Sequence, residues 1–192
     1  MRNAWKIAAT TSLLAIAALG LSTVTKPDSP NSSTPAQPAA RSNSTIDATS
    51  AGPFNLYNPV TGRCMDLAGP GASGPGSAVI QATCDNSEAD TQQWYLDYRP
   101  GFSSFSLRNA KSGLCLDLPG TGAPANGTAL IQRTCMPSPN DNQLFYYEDE
   151  WIRNVKGDRC VDVVGLGTGG NGAALAIYDC LAADDHWWQL LW

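Results

Sequence analysis

The sequence predicts an all-β protein assembled from three copies of one unit. Three observations carry this. Six cysteines fall in three pairs, each with a spacing of 20: Cys64 and Cys84, Cys115 and Cys135, Cys160 and Cys180. Other residues recur in step with them, which marks a repeat architecture. Apolar and aromatic runs of three to six residues are broken by Gly, Pro and Asn, with no long 3.6-residue apolar period.

The chain has 192 residues and a formal net charge of −5. That length fits one or at most two domains. With 12 basic against 17 acidic side chains, no nucleic-acid partner is expected. His186 is the single histidine. A zinc enzyme built on several histidines is therefore excluded.

Residues 1–25 are expected to be a signal peptide. Arg2 and Lys6 precede an uncharged stretch from Ile7 to Thr25, the layout of an export segment. The alternative is an N-terminal membrane anchor, since 19 uncharged residues could cross a bilayer. Residues 26–53 are rich in Ser, Thr, Pro, Ala and Asn and read as a disordered spacer. Such a segment has too little apolar surface to offset its ordering entropy. The domain proper is expected over 54–192, with repeats at about 54–102, 103–148 and 149–192.

Each repeat carries the same marks. Asparagine stands six residues before the first cysteine: Asn58, Asn109, Asn154. Aspartate stands two after it: Asp66, Asp117, Asp162. Glycine stands twelve after it: Gly76, Gly127, Gly172, and is expected in a turn with positive φ. An aromatic follows the second cysteine: Trp94, Phe145, Trp188. The first two units are offset by six extra residues around Arg99–Ser104. About four strands per unit are expected.

Six cysteines allow fifteen pairings. Equal spacing and an exported chain favour the pairs Cys64–Cys84, Cys115–Cys135 and Cys160–Cys180. No Cys-x-x-Cys occurs and the pairs lie in different repeats, so no metal and no cofactor are expected.

The text Gly113 to Leu118, with Gly127, Cys135 and Asn142-Gln143-Leu144-Phe145, resembles the repeat signature of ricin B-type lectins. The family 13 carbohydrate-binding modules of secreted actinobacterial proteins are similar. The resemblance covers Phe54 to Trp192. It implies a β-trefoil, a six-stranded barrel capped by three hairpins, with Trp94, Phe145 and Trp188 in a common core. It also implies up to three sugar sites, one per repeat.

Residue by residue, the family's sugar-holding aspartate matches Asp66, Asp117 and Asp162. A carboxylate accepts two hydroxyl protons at fixed geometry. The family's stacking ring falls on Ala82, Arg133 and Tyr178, so only the third repeat keeps an aromatic. The polar pair falls on Thr91-Gln92, Asn142-Gln143 and Asp185-His186. The resemblance therefore implies a principal site at Asp162, Tyr178, Asp185 and His186. A second is implied at Asp117, Asn142 and Gln143, and the weakest at Asp66 and Gln92. The alternative for the aspartates is satisfaction of backbone donors in a turn.

The expected function is that of a secreted lectin, without catalysis. Its partner would be a neutral oligo- or polysaccharide, such as galactosides or xylan-type chains. The repeat region holds 8 basic and 15 acidic side chains, which argues against anionic polysaccharides. The alternative is a protein-binding trefoil subunit of a secreted assembly, a toxin-delivery component or protease inhibitor. A membrane partner is expected only through an uncleaved N-terminal segment. No serine stands in a nucleophile context such as Gly-x-Ser-x-Gly, so no enzyme is expected.

Overall fold

A computed structural model describes residues 49–192 except 70–73, 86, 88–89, 137 and 168. The expected signal segment and nearly all of the expected spacer lie outside the described residues.

The first unit contributes β1 (Ser50–Asn58), β2 (Arg63–Leu67), β3 (Val79–Ala82) and β4 (Gln93–Tyr98). The second contributes β5 (Phe105–Asn109), β6 (Cys115–Asp117), β7 (Thr128–Ala129), β8 (Ile131–Arg133) and β9 (Phe145–Glu148). The third contributes β10 (Trp151–Asn154), β11 (Cys160–Val163), β12 (Leu175–Tyr178) and β13 (Gln189–Leu191). No helix occurs among the described residues.

Six strands close a ring. β1 pairs with β4, β4 with β5, β5 with β9, and β9 with β10. The bridge Trp151↔Trp187 and the β13–β1 pair complete it. The hairpins β2–β3, β6–β8 and β11–β12 cap the ring, one per unit. The six residues 99–104 form the turn between β4 and β5. The fold is the expected β-trefoil.

β1 begins at Ser50, four residues before the expected domain start at Phe54. Ser50 and Ala51 pair with Asp97 and Leu96 of β4. The composition of 26–53 gives no sign of this, because the partner strand supplies the backbone bonds.

Trp94, Phe145 and Trp188 are fully buried and join one core with Leu56, Leu96, Leu107, Ile152 and the inward residues of the hairpins. The indole N–H groups of Trp94 and Trp188 donate to the carbonyls of Met65 and Val161, at 3.2 and 2.9 Å. Phe145 has no such donor, and its ring fills the equivalent place without one.

The recurring glycines dock each unit on the next. The N–H of Gly76 donates to Gln132, that of Gly127 to Ile177, and that of Gly172 to Gln81, at 2.7, 2.8 and 2.8 Å. Their φ values are +92, +80 and +82°, where a side chain would be strained. Around two of these docks a hydroxyl donates to a buried glutamine, Thr61 to Gln81 and Ser112 to Gln132. At the third dock the matching residues are Gly157 and Ile177, which offer neither a hydroxyl nor an amide. A Cβ on Gly157 would lie 2.8 Å from Pro124 Cδ. Gly157→Ala is therefore expected to cost about 1–2 kcal/mol by overpacking. Urea unfolding would check this, with the equivalent change Ser112→Ala as comparison.

Each asparagine before a first cysteine is fully buried and ties its turn to another repeat. Asn109 Oδ1 accepts from the N–H groups of Lys111 and Ser112, at 3.0 and 3.1 Å, and its amide donates to the Thr91 carbonyl. Asn58 does the same with Val60, Thr61 and the Asp185 carbonyl. Asn154 serves Lys156, Gly157 and the Asn142 carbonyl. These asparagines recur visibly in the sequence, but the spacing alone does not tell what they hold.

Candidate functional site

The three candidate sites sit on the capping hairpins. Pairing sets their geometry. Asp66 faces Ile80, Asp117 faces Ile131, and Asp162 faces Ala176 across the hairpins. Ala82, Arg133 and Tyr178 face Cys64, Cys115 and Cys160. Since side chains alternate along a strand, each of these stands diagonally beside the aspartate on one face.

The disulfides form within each repeat, Cys64–Cys84, Cys115–Cys135 and Cys160–Cys180, and no cysteine is free. They tie the site hairpin to the loop that follows it. The second residue of each polar pair holds the same loop. Gln92 Oε1 accepts from the Asp85 N–H, and Gln143 Oε1 from the Met136 N–H, at 2.9 and 2.7 Å. Their amides donate to the carbonyls of Thr83 and Thr134. In the third repeat, the N–H of Leu181 approaches His186 Nδ1 at 3.4 Å. Gln92, Gln143 and His186 are all buried. Their first task is thus to position the loop that rims the site.

In the first repeat Asp66 accepts from three internal donors. Thr91 donates its hydroxyl to Oδ1, Gln92 Nε2 donates to Oδ2 at 3.2 Å, and the Leu67 N–H donates at 2.6 Å. Ala82 provides no ring beside it.

The second repeat is open. A cleft of about 550 Å³ is lined by Asp117, Gly120, Arg133, Met136, Asp141 and Gln143, among others. Asp117 accepts from the Leu118 N–H at 2.8 Å, and Arg133 Nε lies 3.5 Å from its Oδ2. The Arg133 side chain is 58% exposed, so it stands at the cleft wall where the resemblance implies a ring. Burial and the nearby Asp141 charge push the Asp117 carboxyl above its ordinary range, against the Leu118 N–H and Arg133. Asn142 turns its amide to the carbonyls of Leu118 and Gly120, and its Oδ1 is buried without a partner.

The third repeat differs in charge. Asp162, Asp185 and His186 are buried and lie close together, with Asp184 beside them. His186 Nε2 is 3.3 Å from Asp162 Oδ2 and 3.6 Å from Asp184 Oδ2. Asp185 Oδ2 accepts from the Gly167 N–H of the glycine-rich loop at 2.7 Å. Burial, then Asp185 and Asp184, push the Asp162 carboxyl up to about 8. Burial lowers the His186 pKa, although the Asp184 and Asp185 charges oppose it. Tyr178 is half-buried, and its hydroxyl lies against Gly127 of the second repeat. Trp187 stands edge-on to Trp151 at 5.6 Å, and Trp151 to His186 at 6.5 Å.

One participant is missing from the sequence expectations. An aspartate precedes each polar pair: Asp90, Asp141 and Asp184. Asp141 lines the second cleft and Asp184 joins the third cluster. The signal was their recurrence, one residue ahead of a motif already recognised.

A family model described as "Ricin-type beta-trefoil lectin domain-like" matches residues 45–133 and, overlapping, 90–178. No curated protein matches the chain. Among solved structures, the designed threefold-symmetric protein ThreeFoil is 23% identical with a TM-score of 0.61, covering 73% of this chain and 99% of its own. The C-half of the earthworm R-type lectin, solved with GalNAc, is 16% identical with a TM-score of 0.58, covering 72% and 96%. The ricin B-like lectin of Macrolepiota procera, solved with lactose, is 18% identical with a TM-score of 0.56, covering 76% and 96%. At these identities the structures speak for the fold. With the family match spanning most of the chain, this protein belongs to the ricin-type β-trefoil lectin-like domain family.

Proposed function

We propose that the protein is a secreted lectin that binds neutral glycans, such as galactosides or xylan-type chains, and performs no catalysis. The observation that carries this is the open cleft beside Asp117. There a buried carboxylate, polar neighbours and a flanking Arg133 converge on one concave surface. Such a surface suits a sugar. Hydroxyls would donate to Asp117, and the guanidinium plane of Arg133 would cover the C–H face in place of a ring.

The third repeat, with Tyr178 beside Asp162, is the second site in this reading. Asp185 and His186 would then act mainly from beneath, by orienting Asp162. Asp66 and Gln92 would contribute least, because Asp66 already accepts from three internal donors. Three intramolecular disulfides agree with an extracellular location. Single loop sites are weak, and repetition raises apparent affinity on a polymer.

The test is calorimetric titration of the full chain with galactose, lactose and xylo-oligosaccharides, beside Asp117→Asn and Asp162→Asn. Loss of a charge-assisted hydrogen-bond pair costs about 1.5–3 kcal/mol. Asp117→Asn is therefore expected to weaken saccharide binding by about 10–100-fold. Saccharide binding unchanged in both variants would remove the aspartates from the site. No heat with any sugar, for folded protein, would overturn the lectin reading in favour of a protein partner.

A further inference from the structure

The three repeats place equivalent side chains around each hairpin aspartate, and the third set has a different chemistry. The first set is Asp66, Asp90, Thr91 and Gln92. The second is Asp117, Asp141, Asn142 and Gln143. The third is Asp162, Asp184, Asp185 and His186. In the first, Thr91 and Gln92 are donors to the aspartate. In the third, a carboxylate replaces the Thr or Asn, and an imidazole replaces the Gln amide. Two neutral donors have given way to two metal-ligand types.

One ligand atom from each of Asp162, Asp184, Asp185 and His186 lies within 4.8 Å of the others. Exposure is 5% for Asp162 and 0% for both Asp185 and His186. Three atoms there are buried without a hydrogen-bond partner: Asp162 Oδ1, Asp185 Oδ1 and His186 Nε2. Buried polar atoms are rarely left so. Buried carboxylates in contact need either a retained proton or a cation.

His186 admits a simpler role as a substitute for glutamine. Nδ1 would accept from Leu181 as Oε1 accepts in the other repeats, and Nε2–H would point at Asp162. That accounts for His186 but not for Asp185: its counterpart Asn142 also has an unpartnered Oδ1, but Asn142 and Thr91 are uncharged, whereas Asp185 brings a second carboxylate beside Asp162. A metal on Nε2 would put the ring proton on Nδ1 and so displace the long Leu181 contact of 3.4 Å.

We propose that Asp162, Asp184, Asp185 and His186 form a site for one divalent transition-metal ion of the zinc type. Imidazole in the set favours such an ion over calcium or magnesium, which prefer oxygen alone. Bonds of about 2.0–2.2 Å in a tetrahedron set ligand atoms about 3.3–3.6 Å apart. The distances from His186 Nε2, 3.3 and 3.6 Å, match that edge. Four protein ligands make a closed site, so the ion would brace the third hairpin loop and not perform chemistry. The expectation of no metal came from cysteine spacing and the lone histidine. It did not weigh three carboxylates gathered around that histidine.

The full chain, stripped with a chelator and with no sugar present, is titrated with Zn2+ and separately with Ca2+. All cysteines are in disulfides, so thiolates do not compete. Asp185→Asn and His186→Gln together recreate the second repeat's Asn142-Gln143 pair, and the two single variants and the double variant are expected to fold, as circular dichroism would verify. Support is one Zn2+ per chain, at least 100-fold weaker binding in each single variant, and a rise in melting temperature with Zn2+ in the parent only. The proposal is overturned by no Zn2+ binding, by equal Zn2+ binding in the double variant, or by preferential Ca2+ binding that His186→Gln leaves intact. Since no sugar enters this experiment, its failure leaves the lectin reading standing.

Discussion

Replacing Asn154 with alanine is expected to cost about 3–4 kcal/mol, more than a typical surface change by a wide margin. The side chain is fully buried and serves four backbone groups. Its Oδ1 accepts from Lys156 and Gly157 at 3.1 and 3.0 Å. Its amide donates to the carbonyls of Asn142 and Leu144 at 2.9 and 3.3 Å. Alanine removes the partner from these groups; the Leu144 carbonyl keeps the Val155 N–H, and each buried group left orphaned costs about 1–3 kcal/mol. Some of the loss is recovered where water reaches the turn, which keeps the sum below the full count. The tie also crosses a repeat boundary: the turn after β10 is fastened to the polar pair of the second repeat. Asn154→Asp makes the discriminating companion. It keeps the acceptor for the turn but sets a carboxylate against two carbonyls, so it should be at least as harmful at neutral pH. Chemical denaturation of parent and both variants gives the answer. A cost under about 1 kcal/mol for Asn154→Ala would mean that the repeat junction is held by the core alone.

Much of the fold was legible because the same physical demands recur three times. A disulfide needs two cysteines at fixed separation, the dock between repeats needs glycine at positive φ, and the core needs an aromatic at one place. Each leaves a residue type at a constant offset: Cys64 and Cys84, Gly76, Trp94 and their counterparts. Closure of the ring was not legible from local pattern. It rests on β13 pairing with β1 and on the Trp151↔Trp187 bridge, contacts between residues far apart in the chain or outside any strong strand pattern. The start of β1 was hidden for a related reason. Ser50 to Pro53 looks like spacer, and its pairing with Leu96 and Asp97 of β4 makes it a strand.

The site was legible by residue type and less so by orientation. Asp66, Asp117 and Asp162 occur where the repeat puts them, each on a capping hairpin. What the letters could not convey is that Gln92 and Gln143 spend their polar atoms on the loop after the second cysteine, and that His186 turns only Nδ1 to it. Nor could they convey that Arg133, a departure from the family's ring, stands over Asp117 at an open cleft. Burial depends on what the neighbouring unit covers, and that is a property of the closed ring.

Removing the middle disulfide, by changing Cys115 and Cys135 together to alanine, is expected to cost about 3 kcal/mol and to weaken saccharide binding as well. The chain-entropy argument supplies the stability part, since the bond closes a loop whose ends are 20 residues apart. The binding part follows from position. Cys115 pairs with Arg133 across the hairpin, and Asp117 with Ile131. Cys135 begins the loop that continues to Met136, a lining residue of the cleft whose N–H is held by Gln143. Without the bond, Gln143 alone would fasten that loop to the hairpin, so Asp117, Arg133 and Met136 would converge less often. The equivalent change at Cys64 and Cys84 should cost similar stability but spare the second cleft. Measuring both variants by denaturation and by titration with the best-bound sugar separates the effects. Equal losses of binding would indicate a general loosening of the trefoil. A loss confined to the middle disulfide would tie affinity to the order of one loop.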